Sequence, residues 1–198
     1  MTSPRLAAVL ADIDAANARD PRHDTVGGRS VPRELLYSER MSARLTASFP
    51  SASELLQIAA RAQHIRRWEI PRASYPEGRE GYNRWRAACR THHAALTSAI
   101  MARHGYGPDE IAHVAKIIRK EQLKTDPDSQ ALENVVGTVF VEHYLEAFIA
   151  EHRDYDAAKL SGILGKTLRK MSPEGHAAVL ALPLQDELRT ILVSAISP

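Results

Sequence analysis

The chain is expected to fold as an all-α domain, a single compact bundle of eight to nine helices spanning residues 1–198. Three observations carry that expectation. Proline recurs where the first helical residue belongs, at Ser3-Pro4, Gly107-Pro108, Asp126-Pro127 and Ser172-Pro173. Apolar residues then follow at helical spacing, and strand-type alternation is absent.

The elements follow in order. Ser3-Pro4 opens a stripe through Leu6, Leu10 and Ile13, and a polar loop with Gly27 and Gly28 follows it. Pro32 introduces Leu35, Leu36, Met41 and Leu45. Ser51 and Glu54 match a capping box ahead of Leu55, Ile58, Ala59 and Ala62. Pro71 and Pro76 bound an irregular link. A long helix is expected from near Glu80 to Arg103, closed by Gly105 as a left-handed cap. Gly107-Pro108 starts a helix with Ile111, Val114, Ala115 and Ile118. Asp126-Pro127 starts the most hydrophobic one, with Leu132, Val135, Val136, Val139, Phe140, Tyr144 and Phe148. A short helix after Ser172-Pro173 and a last one over about Asp186 to Ile196 complete the chain.

Composition narrows the function. With 198 residues, 44% hydrophobic and 25% charged, the chain has the make-up of an ordinary globular domain. No apolar run is long enough to span a membrane. The opening MTSPRLAAVLADIDAA carries acids within its apolar stretch, unlike a signal peptide. Cys89 is the single cysteine, which excludes an intramolecular disulfide and fits a reducing cytoplasm. The net charge of +2 is not that of a polyanion binder, yet residues 61–90 hold eight arginines against Glu69, Glu77 and Glu80. Such a cluster suits phosphate or carboxylate, and it equally suits a solvated face with internal ion pairs.

Nine histidines invite a test of metal-ligand spacing. No His-Glu-x-x-His run occurs. His92 and His93 are helix neighbours pointing roughly 100° apart, so one is expected to face the core and the other a cleft. His64 stands at the end of its helix, a natural rim for a pocket. His143 reads as a core histidine, and His23, His104 and His152 as solvated ones. Taken singly, each histidine reads most simply as structural; a convergent group would change that. Glu133 and Asn134, in the first turns of the hydrophobic helix, suit the helix dipole or a polar pocket at the bundle mouth.

The strings ELLYSERM, AARAQHIRRWEIPR, YPEGREGYNRWR, LKTDPDSQALENV and RKMSPEGH resemble the DUF4202 family over nearly the whole chain. That family brings no reaction with it. A second stretch, LLQIAARAQHI, is similar to the helix that ends in the His-Asp pair of HD-domain phosphohydrolases, and HGYGPDEIAHVAKIIRKEQLKTD follows the later course of such domains. This likeness implies an HD-like core over about residues 33–150. It places His64 and His93 at metal-binding histidines, Glu133 or Asn134 at the final acid, and a divalent Mn, Fe, Zn or Mg among them. Ile65 stands where the family has its aspartate, Tyr37, Ser38 and Glu39 fall where a first histidine is expected, and Arg119-Lys120 replaces a frequent histidine pair.

Three readings follow. In the first, a diverged metal-dependent hydrolase acts on a phosphorylated small molecule such as a nucleotide. There His64, His93 and Glu133 hold the metal or move protons, and Arg40, Arg67, Arg72, Lys120 and Lys124 grip phosphate. Trp68 or Tyr75 would stack on a base. In the second, the same basic pocket binds a phosphate-bearing ligand without metal or turnover. In the third, the face over residues 61–90 meets protein or nucleic acid, although no nucleic-acid motif is present.

Overall fold

A computed structural model describes residues 3–196. It is mostly helical, and the chain divides into two compact units, one running to Glu121 and the other starting at Gln122.

The first unit opens with α1 (Pro4–Asn17), whose N-cap Ser3 accepts the Leu6 N–H at 3.2 Å. A hairpin follows, β1 (His23–Val26) paired antiparallel with β2 (Arg29–Pro32), where a loop had been expected. Gly27 and Gly28 both take positive φ, 55° and 77°, as a tight two-residue hairpin turn demands. The strands are only four residues long and mostly exposed, so no alternation of burial marks them in the sequence.

Helix α2 (Arg33–Ser48) begins at Pro32, which lacks a side-chain cap. Asp20 supplies one from outside the helix: its carboxylate accepts the Glu34 N–H at 3.1 Å. Helix α3 (Glu54–Arg61) is capped by Ser53, which accepts the Leu56 N–H at 3.1 Å, and not by the expected Ser51. Two 3-10 turns, Arg67–Glu69 and Arg72–Ser74, lead to α4 (Gly78–Arg103), ended by Gly105 at φ 77° as anticipated. In α5 (Pro108–Arg119), the Glu110 carboxylate accepts the Gly107 N–H at 2.8 Å. The core forms where α3 and α4 pack on α5, and α1 and α2 on α3. Ile13, Met41, Ile58, Ile65, Met101, Ile117 and Ile118 are fully buried there.

The second unit starts with α6 (Pro127–His143), capped by Asp126 as expected. It stops earlier than predicted: Tyr144 leaves the helical region, and Phe148 belongs to a separate α7 (Leu145–Glu151). Helix α8 (Ala157–Leu168), capped by Asp156, was not anticipated. Helix α9 (Pro173–Leu180) and α10 (Asp186–Ile196) were. Ten α-helices therefore stand among the described residues against the eight or nine expected. Leu145, Leu164, Leu168, Val179 and Leu192 form this unit's core. His143, expected in a core, lies exposed at the end of α6. None of the described helices is long and apolar enough to cross a membrane.

Two glycines should respond oppositely to the same change. A Cβ on Gly81 would overlap the Pro76 carbonyl at the start of α4, whereas one on Gly162 in α8 meets open space. Gly81→Ala is expected to cost about 1–3 kcal/mol, and Gly162→Ala to add about 0.5–1 kcal/mol. Urea unfolding of both variants checks the pair, and a neutral Gly81→Ala would contradict it.

Candidate functional site

The residues with the most perturbed chemistry gather in the first unit, around the chain leaving α3. His64 lies just beyond that helix, and its imidazole stacks on Tyr37 of α2 with centroids 3.9 Å apart and planes 13° from parallel. On the same helix, one turn earlier, Glu34 brings its carboxylate to 3.4 Å from His64 Nδ1. His93, on α4, donates from Nδ1 to the Ile65 carbonyl at 2.8 Å, and its ring centroid lies 6.0 Å from that of His64. His92 sits beside it, with centroids 5.9 Å apart. As the helix geometry required, the two neighbours differ: His93 is 2% exposed, whereas the His92 side chain is 21% exposed. His92 Nε2 lies 3.1 Å from Glu69, within ion-pair range but without hydrogen-bond alignment.

A buried polar chain holds Glu34. Arg22, at the foot of the hairpin, donates to Asp20 through Nε and Nη2 at 3.0 Å each, and through Nη2 to Glu34 at 2.8 Å. Glu34 is 2% exposed and Asp20 is 1% exposed. For Asp20, burial alone would raise the pKa, but the hydrogen bonds from Arg22 and from the Glu34 amide outweigh it and hold the acid low. For Glu34 burial wins, and its pKa rises despite the charges of Arg67 and Arg22.

The histidines shift the other way. Desolvation is the largest cause for His64, followed by the charges of Arg67, Lys120, Arg86 and Arg22, and together they push its pKa well below the usual histidine value. Desolvation, the nearby His64 and the charges of His92 and Arg67 push His93 down to about 3, against the stabilising bond to Ile65. Both imidazoles are neutral at pH 7. His64 is also the accessible one, with 23% of its side chain exposed. Cys89, buried on α4, has its thiol pKa raised, mainly by desolvation.

The backbone supports this placement. Arg66 has a left-handed conformation at φ 51°, and its N–H donates to the Asn17 side chain at 3.0 Å. Lys120, whose charge reaches His64, sits at the end of α5 with φ 59°. Left-handed non-glycine residues carry strain that their surroundings must hold, and they concentrate at functional sites.

Of the residues anticipated from sequence, His64, His93, Arg67 and Lys120 come together. Arg67 also lies over Trp85, 4.9 Å from the ring centroid. Arg72 instead donates to the Tyr75 carbonyl at 2.8 Å, closing its own turn. Arg40 is half-buried on α2. Glu133, Asn134 and Lys124 belong to the second unit. There Asn134 ties α6 to α9: its Nδ2 donates to Ser172 Oγ at 2.8 Å, and its Oδ1 accepts the Ser172 N–H at 2.9 Å. Glu133 is buried at 4% exposure. Sequence reasoning missed Glu34, Arg22 and Arg86. Glu34 falls one helical turn before Tyr37, and that spacing was its only signal. Ile65 is fully buried, and its carbonyl accepts from His93. Among the described residues no three His, Cys, Asp or Glu side chains converge to hold a metal ion.

The arginine-rich segment is partly internal. Arg61 pairs with Asp14 through two contacts of 2.6 Å, and Arg66 pairs with Glu69. His104 and His152, expected to be solvated, are half-buried: His104 meets Asp12 at 2.9 Å, and His152 donates to the Phe148 carbonyl at 2.8 Å.

The chain belongs to the family described as "Domain of unknown function (DUF4202)", which it matches over residues 7–192. No curated protein and no solved structure matches it.

The depressed histidines set a pH dependence. A group whose folded pKa lies below its unfolded value contributes stability above the unfolded pKa and loses it as pH falls toward the folded one. Acidification below about pH 6.5 should therefore destabilise the protein, by at most about 1.4 kcal/mol per pH unit for each histidine. The low-lying acids Asp12, Asp20 and Glu110 act in the same direction at lower pH. Glu34, with a raised pKa, acts oppositely: its contribution is complete below the unfolded carboxylate value and is lost as pH rises through the folded one. Two histidines outweigh one carboxyl between pH 6.5 and 5. Unfolding curves across that range should shift downward with acid and flatten in His64→Gln; an unchanged slope in that variant would contradict the assignment.

Proposed function

We propose that the first unit binds a phosphate-bearing small molecule, of the nucleotide or sugar-phosphate class, at the accessible side of His64. One observation carries the reading: a neutral, partly exposed imidazole sits in the field of Arg22, Arg67, Arg86 and Lys120. The acid beside it, Glu34, is already paired with Arg22. A ring that stays unprotonated adds no positive charge of its own beside these cations. An anion with several acceptor oxygens answers that field better than water does, and guanidinium groups suit phosphate oxygens in particular. The reading needs no metal, since the described residues offer no ligand set for one.

A second reading, hydrolysis of the bound phosphate compound, is favoured by the Glu34–His64 pair at 3.4 Å. A carboxylate beside Nδ1 favours the proton there and leaves Nε2 as a base, the arrangement by which histidine is oriented for proton transfer. The HD-like ancestry suggested by LLQIAARAQHI belongs with this reading, although the described residues offer no ligand set for the metal it implies. Neither binding reading calls on nucleic acid.

Calorimetric titration of the full chain with inorganic phosphate and nucleoside monophosphates tests the proposal. Binding is expected without added metal and in the presence of a chelator. Arg86→Met should weaken it about tenfold, a loss of about 1.4 kcal/mol, within the range for a charged hydrogen bond. Saturation at 100 times the dissociation constant should add about 2.7 kcal/mol of stability. No heat and no thermal shift with any of these anions at millimolar concentration would overturn it. Release of inorganic phosphate, abolished in His64→Gln while binding persists, would establish the hydrolytic version.

A further inference from the structure

Arg79, Tyr82, Asn83 and Arg86 follow one another along the first half of α4 at helical spacing, so their side chains share one face. Tyr82 is 44% exposed, and among the described residues it is the aromatic one of the exposed large hydrophobic side chains. Its ring rests tilted against Trp85, with centroids 5.6 Å apart. Trp85 is itself fixed: its Nε1 donates to the Ile70 carbonyl at 2.8 Å, and the Arg67 guanidinium lies 4.9 Å from its ring centroid. Arg86 approaches the Tyr82 ring at 5.8 Å from the centroid, a contact that uses none of its N–H donors. The side chains of Arg79 and Arg86 make no hydrogen bond and no ion pair with any described residue. The nearest acids in sequence do not neutralise this face. Glu77 is the N-cap of α4, and Glu80 stands about 160° round the helix from Tyr82.

We infer that this face of α4 binds single-stranded nucleic acid, with a base stacked on Tyr82 and phosphates held by Arg79 and Arg86. An exposed ring braced from behind by a fixed tryptophan loses little freedom when a partner covers it, and any base has a face to offer it. The two guanidiniums flank that ring three residues before it and four after, about 4.5 Å and 6 Å along the helix axis. A strand that lays one base on Tyr82 therefore brings the phosphates on either side of that nucleotide toward the two cations. Asn83, between Tyr82 and Arg86, carries an amide that both donates to and accepts from a base edge. The wider segment provides a positive approach, since residues 61–90 hold eight arginines against three acids. An acidic peptide would meet the arginines and leave the ring without a planar partner. A duplex keeps its bases stacked on one another and offers none to Tyr82. The inference stands apart from small-molecule binding at His64; the two share only Arg86, so Arg79 and Tyr82 are the residues that test it alone.

Fluorescence anisotropy of the full chain with end-labelled thymidine and uridine strands of about twelve nucleotides, within the usual site sizes, tests it. Both strands are expected to bind, and a preference for either assigns DNA or RNA within the same class. Between about 50 and 200 mM salt, the logarithm of the binding constant should fall with the logarithm of salt with a slope of about −1.4, for two phosphates at about 0.7 each. Arg79→Met should reduce that slope by about 0.7. Tyr82→Ala should weaken binding about tenfold, whereas Tyr82→Phe, which keeps the ring, should leave it within about twofold of the unaltered chain. Tyr82 is exposed, so thermal unfolding of its variants should match that of the unaltered chain. If Tyr82→Ala nevertheless unfolds, competition on the unaltered chain decides, with inorganic polyphosphate, polyglutamate and the matching duplex each expected to displace the strand poorly. Absence of binding by both strands at low salt would overturn the inference, and so would equal affinity in a folded Tyr82→Ala. Polyphosphate or polyglutamate competing as well as the strand would reduce the face to a general anion surface, and tighter binding of the duplex would remove the stacked base. Each of these outcomes sinks the inference while leaving small-anion binding at His64 to be judged by its own titration.

Discussion

A single peptide group holds the candidate site together. The Ile65 carbonyl accepts from His93 on α4, and the N–H on the other side of the same peptide bond, that of Arg66, donates to Asn17 at the end of α1. Both polar ends of one planar unit are therefore committed to side chains from two different helices. His64 precedes this peptide by one residue, so its direction is set where the chain is most tightly held. Arg66 can take its left-handed conformation because Asn17 receives the N–H that this geometry presents. Any rearrangement of α1 against α4 has to break one of these two bonds, and with it the alignment of the histidines.

Around that anchor, electrostatics and burial pull in opposite directions. Glu34 is driven toward its neutral acid form and His64 toward its neutral base form, so burial disfavours the charge-separated pair that their proximity would otherwise favour. The cations are what keep the arrangement polar. Arg22 bridges Asp20 and Glu34, and Arg67 lies against Trp85, where an aromatic face holds the guanidinium with little loss of its charge. The result is a small region in which burial disfavours charge on Glu34 and His64, Asp20 is held low by Arg22, and the permanent charges are positive.

The fold was legible where proline and serine chemistry dictated it. Pro4, Pro108, Pro127 and Pro173 each stand at the first turn of a helix, since a missing N–H costs nothing there. Elements without that mark were harder to see. Helix α8 opens on Asp156 with no proline, and the break at Tyr144 lies inside an unbroken apolar pattern. The hairpin has strands too short and too exposed to show alternation, and only the Gly27-Gly28 pair betrayed it. Of the site, His64, His93, Arg67 and Lys120 were readable as residue types at helix ends and on a basic segment. Glu34 was not, because an acid in a first helical turn is ordinarily explained by the helix dipole, and nothing local reveals that it is buried against a distant arginine. Nor could the sequence indicate that Ile65 would contribute its backbone carbonyl to His93.

The hairpin has a practical consequence. Its base is occupied: Arg22 clamps the buried carboxylates, and its carbonyl accepts the Arg33 N–H that begins α2. Its tip is not: Gly27 and Gly28 have no atom within 4 Å of where a side chain would grow, and Val26 is 41% exposed. Backbone that is solvated and uncommitted tolerates added chain. Residues 27–28 are therefore the natural place to graft a fluorescent or affinity handle. A reporter there would sit one short strand from Arg22, near enough to sense the charged network and outside the packing that builds it.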